Sequence, residues 1–166
     1  GQKEIETQKL DIIGREDDSG TFELLRKIKE LGIQPKTILY PASETRVAIS
    51  EAFPEAAVTY LDSNSRVVDA LTAAGYDAVD ADMKTFLPPD GDKYDMVYLQ
   101  NITGESIPTE GTLRLWLNEK GVVVTDDYYN QTDVLKGYAS LSGVGSVTSE
   151  QSELSQYIFQ LNPKQP

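Results

Sequence analysis

Apolar residues along this chain fall into two alternating rhythms. Phe22, Leu24, Leu25, Ile28 and Leu31 recur at helical spacing from Thr21, and Gly32 follows as a C-cap, so a helix is predicted there. Pro35 resets the chain. Lys36 to Tyr40 is a short apolar run with β-branched residues, the pattern of a buried strand. Thr45 to Phe53 reads as a helix stopped by Pro54, and Ala56 to Leu61 as a second strand ending at Asp62. Asn64 is placed to cap a helix that carries Val67, Val68, Leu71 and Ala74 on one face and ends at Gly75. Strands follow at Tyr76 to Val79 and Tyr94 to Leu99. A helix is predicted over Thr109 to Lys120 and a fifth strand over Gly121 to Thr125, ending at Asp126-Asp127.

The rhythm then breaks. Residues 131 to 137 predict a short helical turn. Tyr138 to Thr148 and Leu154 to Leu161 read as two final strands, antiparallel across the polar linker 149 to 153, with Tyr157, Phe159 and Leu161 on one face. The alternation over residues 36 to 126 argues for an α/β three-layer sandwich, a mostly parallel sheet with helices on both faces. Residues 1–19 are polar and of mixed charge and are expected to form a loose arm, residues 20–162 one domain, and residues 163–166 a tail.

Composition narrows the chemistry. The 166 residues include no Cys, which excludes disulfides, thiolate metal sites and a Cys nucleophile, and no His, the commonest general base and metal ligand. Lys and Arg total 15 against 27 Asp and Glu, a net charge of −12. That field repels polyanions and no basic run offsets it, so neither nucleic acid nor an anionic membrane surface is expected as a partner. No apolar stretch approaches the ~20 residues of a membrane span, and Gly1-Gln2-Lys3-Glu4 shows no apolar signal region. The expected location is the cytoplasm.

In folds of this type ligands sit beyond the C-terminal ends of the strands, where strand order reverses. The residues at those positions are Tyr40-Pro41-Ala42-Ser43-Glu44-Thr45, Asp62-Ser63-Asn64, Asp80-Ala81-Asp82-Met83, Gln100-Asn101 through Glu105, and Asp126-Asp127-Tyr128-Tyr129. An acidic residue closing the second strand suits a ribose, because its two oxygens accept from adjacent hydroxyls. Asp62 is equally suited to capping the next turn, since Asp, Ser and Asn are all good cappers.

The order of Ile38 to Ser43, Val58 to Asp62, Ala78 to Met83 and Tyr94 to Leu99 resembles the class I S-adenosylmethionine-dependent methyltransferases, over about residues 20 to 162. The resemblance implies a Rossmann-like, seven-stranded sheet whose last strand runs antiparallel, with S-adenosyl-L-methionine as cofactor and a small-molecule methyl acceptor. Carried across, the loop Pro41 to Thr45 wraps the methionine part of the cofactor, with Tyr40, Pro41, Ala42 and Ser43 as its cofactor-binding residues. Asp62 with Ser63 holds the ribose, Asp82 accepts from the adenine amino group beside Met83, and Asn101 sits near the sulfonium and the methyl acceptor, a catalytic position it shares with Asp126 and Asp127. The family's first loop is rich in Gly, whereas Ala42-Ser43-Glu44-Thr45 has none. Glu44 stands near a carboxylate-bearing cofactor and is tolerated where it faces an amine or sulfonium. The same loop lacks the G-x-G-x-x-G of dinucleotide folds, which argues against NAD. The alternative is a non-catalytic methyltransferase-like domain that binds a nucleoside ligand or a protein partner.

Thr125-Asp126-Asp127 is similar to the strand end of metal-assisted O-methyltransferases, whose pattern also wants an Asp closing the fourth strand. This chain has Gln100-Asn101 there, and no metal is expected. Methyl transfer relies mainly on proximity and electrostatics, so it tolerates the absence of His. Asp126, Asp127 and Glu105 are the candidate bases by position. Tyr128 and Tyr129, with Glu105, are candidates to line an acceptor pocket.

Overall fold

The computed structural model describes residues 13–14 and 20–163, with the backbone alone at Tyr128. The expected arm and tail fall almost wholly outside these residues. Five helices, α1 Thr21–Glu30, α2 Ala48–Ala52, α3 Ser65–Ala73, α4 Glu110–Trp116 and α5 Gln131–Lys136, alternate with seven strands among the described residues. The strands are β1 Thr37–Pro41, β2 Ala57–Asp62, β3 Asp77–Asp80, β4 Tyr94–Leu99, β5 Leu117–Asp126, β6 Leu141–Thr148 and β7 Ser155–Leu161. They form one sheet in the order β3-β2-β1-β4-β5-β7-β6. β1 through β5 pair in parallel, and β7 lies antiparallel between β5 and β6. The expected mostly parallel sheet with one reversed last strand is what the chain builds.

Strand side chains alternate between two cores, as the two-residue period of a pleated strand requires. Ile38, Tyr40, Val58, Tyr60, Met96, Tyr98 and Ile158 meet Leu24, Leu25 and Ile28 of α1, Ile49 of α2 and Leu71 of α3 on one face. Leu39, Leu61, Val97, Leu99, Val123, Phe159 and Leu161 meet Leu113 and Trp116 of α4 and Leu135 of α5 on the other. The chain leaves β3 at one edge and returns beside β1 as β4, so strand order reverses between β1 and β4. The crevice expected of such sheets opens there.

Two helices are shorter than the sequence pattern predicts. The stretch from Thr45 yields helix only at Ala48–Ala52, because Glu44 adopts φ 51° and Arg46 N–H closes a turn onto Ser43 O. The helix predicted to Lys120 stops at Trp116: Leu117 is extended and pairs with Tyr94, so Leu117 to Lys120 begin β5. Trp116 Nε1–H donates to Phe86 O at 3.0 Å, which holds the helix end against the chain leading into β4. Asn64 is the N-cap as expected, its side chain accepting from Arg66 N–H at 3.0 Å. Among the described residues no helix is long and apolar enough to cross a membrane.

Candidate functional site

Two clefts flank the ends of β1 and β4. The first, of about 440 Å³, is lined at the ends of β1, β2, β3 and β4 by Ala42, Glu44, Arg46, Asp62, Asp82, Met83 and Asn101 among others. Its floor is set by Asp62, which is 8% exposed. The Asp62 carboxylate accepts Glu44 N–H at 2.9 Å on Oδ2 and Asn64 N–H at 2.8 Å on Oδ1. The carboxylate therefore ties the loop after β1 to the loop after β2. Each oxygen keeps a lone pair, because a carboxylate offers about four acceptor positions. Asp62 thus caps its own turn and retains acceptor capacity beside the cleft, so the two sequence readings of this residue are compatible.

The loop after β1 is unusual. Ala42 and Glu44 both adopt left-handed backbone, at φ 53° and 51°, a region glycine enters without steric cost. Asn101 after β4 (φ 57°) and Tyr129 and Asn130 after β5 (φ 55° and 62°) do the same. Such conformations cost on the order of 1–3 kcal/mol each and cluster at functional sites. Ser43, between the two strained residues, is fully buried. Glu44 does not stand alone: Arg46 Nη2 lies 3.1 Å from Glu44 Oε2. The wall of the first cleft thus carries an adjacent cation and anion.

The second cleft is smaller, about 220 Å³, and lies over β4, β5 and β7 against the start of α1. It is lined by Gln100, Asp126, Asp127, Gln156 and Tyr157, with Leu24, Leu154 and Glu153 closing it. Asn101 N–H donates to Asp126 Oδ2 at 2.9 Å, so the residue facing the first cleft is pinned to a carboxylate of the second. Below both, Tyr40 O–H donates to Gln100 Oε1 at 2.8 Å, and the Tyr40 and Tyr98 rings pack edge to face at 4.9 Å. Among the described residues no group of three or more acidic side chains has metal-ligand geometry.

The sequence expectations divide accordingly. Ala42, Asp62, Ser63, Asp82, Met83 and Asn101 line the first cleft, and Asp126 and Asp127 line the second. Tyr40, Pro41 and Ser43 are buried beneath the loop and do not line it. Glu105 and Tyr129 are exposed and line neither cleft, and the Tyr128 side chain lies outside the described residues. Sequence reasoning passed over Arg46 and Gln156. The signal for Gln156 was present, a polar residue in step with Ile158 on the buried face of β7.

No protein-family model matches the chain, nor does any curated protein. Solved structures do. The chain is similar to the O-methyltransferase TomG from Streptomyces achromogenes, involved in tomaymycin synthesis and solved with SAM. The TM-score is 0.62 at 15% identity, over 95% of this chain and 90% of that one. The fold is that of the class I methyltransferases. The plantazolicin methyltransferase BpumL, in complex with SAH, matches at TM-score 0.58 and 13% identity over 97% of each chain. The ribosomal protein L11 methylase from Lactobacillus delbrueckii subsp. bulgaricus matches at 0.58 and 15%, over 84% of this chain and 78% of that one. A methylase named for a ribosomal protein and one of tomaymycin synthesis share the methyltransferase fold, so the fold alone does not choose an acceptor.

Proposed function

We propose that this protein is a cytoplasmic S-adenosyl-L-methionine-dependent methyltransferase acting on a small-molecule acceptor. The observation that carries the reading is the first cleft, where Asp62, Asp82, Met83 and Asn101 converge at the strand-order reversal. Asp62 uses its remaining lone pairs for the ribose hydroxyls. Asp82 accepts from the adenine amino group with Met83 against the ring. Arg46 and Glu44 suit the two charges of an amino-acid end, the guanidinium for the carboxylate and the carboxylate for the ammonium. Glu44 is therefore compatible with the cofactor that its charge alone would repel. Tyr40, Pro41 and Ser43 act from below by fixing the loop.

When bound, the cofactor supplies a methyl group already activated on a sulfonium. The chain's part is to orient and to take up a proton. Asn101, pinned to Asp126, stands between the clefts. Asp127, the exposed member of the pair, receives on a carboxylate oxygen the proton an acceptor must lose. The small second cleft and the net charge of −12 favour a small acceptor over nucleic acid. Glu105 and Tyr129 have no part in this reading.

The test is calorimetric titration with S-adenosyl-L-methionine, S-adenosylhomocysteine and NAD. Micromolar binding of the first two and none of NAD is expected. One observation favours a second reading. The glycine-free loop holds Ala42 and Glu44 in strained backbone with Asp62 already bonded twice, as in a site closed for a structural purpose. Silence with all three ligands overturns the enzyme and supports a non-catalytic domain with a protein partner.

A further inference from the structure

The second cleft carries information the first does not. Gln156 lies on β7 opposite Asp126, is 2% exposed and lines the cleft. Its Nε2 donates to Tyr98 Oη at 2.8 Å, while its Oε1 has no hydrogen-bond partner. A buried acceptor left unmade costs about 1–3 kcal/mol, so such a group at a cleft wall calls for a donor from a ligand. Three carboxylates, Asp126, Asp127 and Glu153, line the same cleft, and no Lys or Arg does. Lys136 stands over the Tyr157 ring with Nζ 5.9 Å from its centre and is not among the lining residues. The carboxylates do not have metal-ligand geometry, so the negative field suits a spread-out cation better than a metal ion. Leu24, Leu154 and the Tyr157 ring supply apolar wall for its body.

We propose that the second cleft binds a small organic cation bearing N–H donors, an amine or amidine with a compact apolar body, and that Gln156 selects it. The cationic group faces Asp126 and Asp127, and one N–H donates to Gln156 Oε1. The wall is held in place from outside: Glu23 of α1 accepts Ser149 O–H at 2.5 Å and Glu150 N–H at 3.0 Å, joining the helix start to the β6–β7 turn. The assignment of this molecule as the methyl acceptor rests on the methyltransferase reading, whereas its binding does not.

The probe is benzamidine, a flat monocation rich in N–H donors. Benzoate matches its size with opposite charge. Each is titrated against the full chain by calorimetry, with and without S-adenosylhomocysteine. Benzamidine binds and benzoate does not. Gln156→Leu weakens benzamidine about tenfold, the factor for one lost hydrogen bond to a charged group. Because Gln156→Leu also removes the donor to Tyr98, the surface substitution Asp127→Asn is the second variant, and it too weakens benzamidine several-fold. Benzoate binding as well as benzamidine, absence of benzamidine binding under both conditions, or unchanged affinity in both variants overturns the proposal. Failure of S-adenosylhomocysteine to bind while benzamidine still does removes the methyltransferase reading and leaves the cation site standing.

Discussion

Asp62→Ala separates the two duties of one carboxylate. In the folded chain that side chain is 8% exposed and accepts two backbone N–H groups, from Glu44 and Asn64, at 2.9 and 2.8 Å. Hydrogen bonds to a charged partner contribute about 1.5–3 kcal/mol each. Both donors border a cleft, so water replaces part of what is lost, and the lower end of that range applies. The variant should lose about 3 kcal/mol, which for a domain of this size lowers the melting midpoint by roughly 6–12 °C. Urea denaturation followed by circular dichroism measures the loss, and the midpoint should fall at unchanged slope. S-adenosylhomocysteine affinity, measured well below the new midpoint where the variant is folded, should fall at least tenfold. A variant that melts within about a degree of the parent refutes the tie between the β1 and β2 loops. A destabilised variant that binds as tightly as the parent refutes the ribose role alone.

Ala42→Gly relieves the left-handed backbone at φ 53° and should raise the thermal midpoint, with a net gain of up to about 1 kcal/mol after glycine's extra chain entropy. A lower midpoint contradicts the strain. The Glu23 carboxyl is held below its ordinary value of 4.5, first by the Ser149 hydroxyl and then by the Glu150 N–H. Its stabilising effect is full above pH 4.5 and is lost as pH falls through the folded-state value, so Glu23→Gln should flatten the acid limb of a pH series of urea midpoints. Trp116 is fully buried and donates to Phe86 O. Trp116→Phe should cost about 1–3 kcal/mol by urea titration, from the orphaned carbonyl and the residual gap.

The alternation of strands and helices was legible because β2, β4 and β5 are apolar runs closed by Asp62, by Gln100-Asn101 and by Asp126. Asn64 announced its helix by cap chemistry alone. The helix predicted from Thr45 was not delivered as written, because its first turn is spent on a loop that reaches Asp62, a contact 18 residues away that local propensity cannot encode. Asp62, Asp82 and Asn101 were readable from the strand-end rule, which needs only strand order. Arg46 and Gln156 fall outside that rule. Arg46 matters through its pairing with Glu44 on a strained turn, and Gln156 through a strand that inserts beside β5 from 30 residues further along the chain. Glu105 sits on a turn whose Thr103 and Ser106 line the first cleft, but neither its side chain nor that of Tyr129 is part of a cleft lining, and position after a strand does not encode which side chains of a turn face inward.

The placement of β7 has a consequence for how this sheet is assembled. Among the described residues β6 pairs with no strand except β7, and β7 occupies the place between β6 and β5. During synthesis residues 141–148 emerge before the strand they pair with, and β5 presents an open edge until residues 155–161 follow. Long-range antiparallel closure is slow, and open edges invite pairing with other chains. Gln156 arrives with that closing strand, so the cleft it lines comes into being only at the step that seals the sheet.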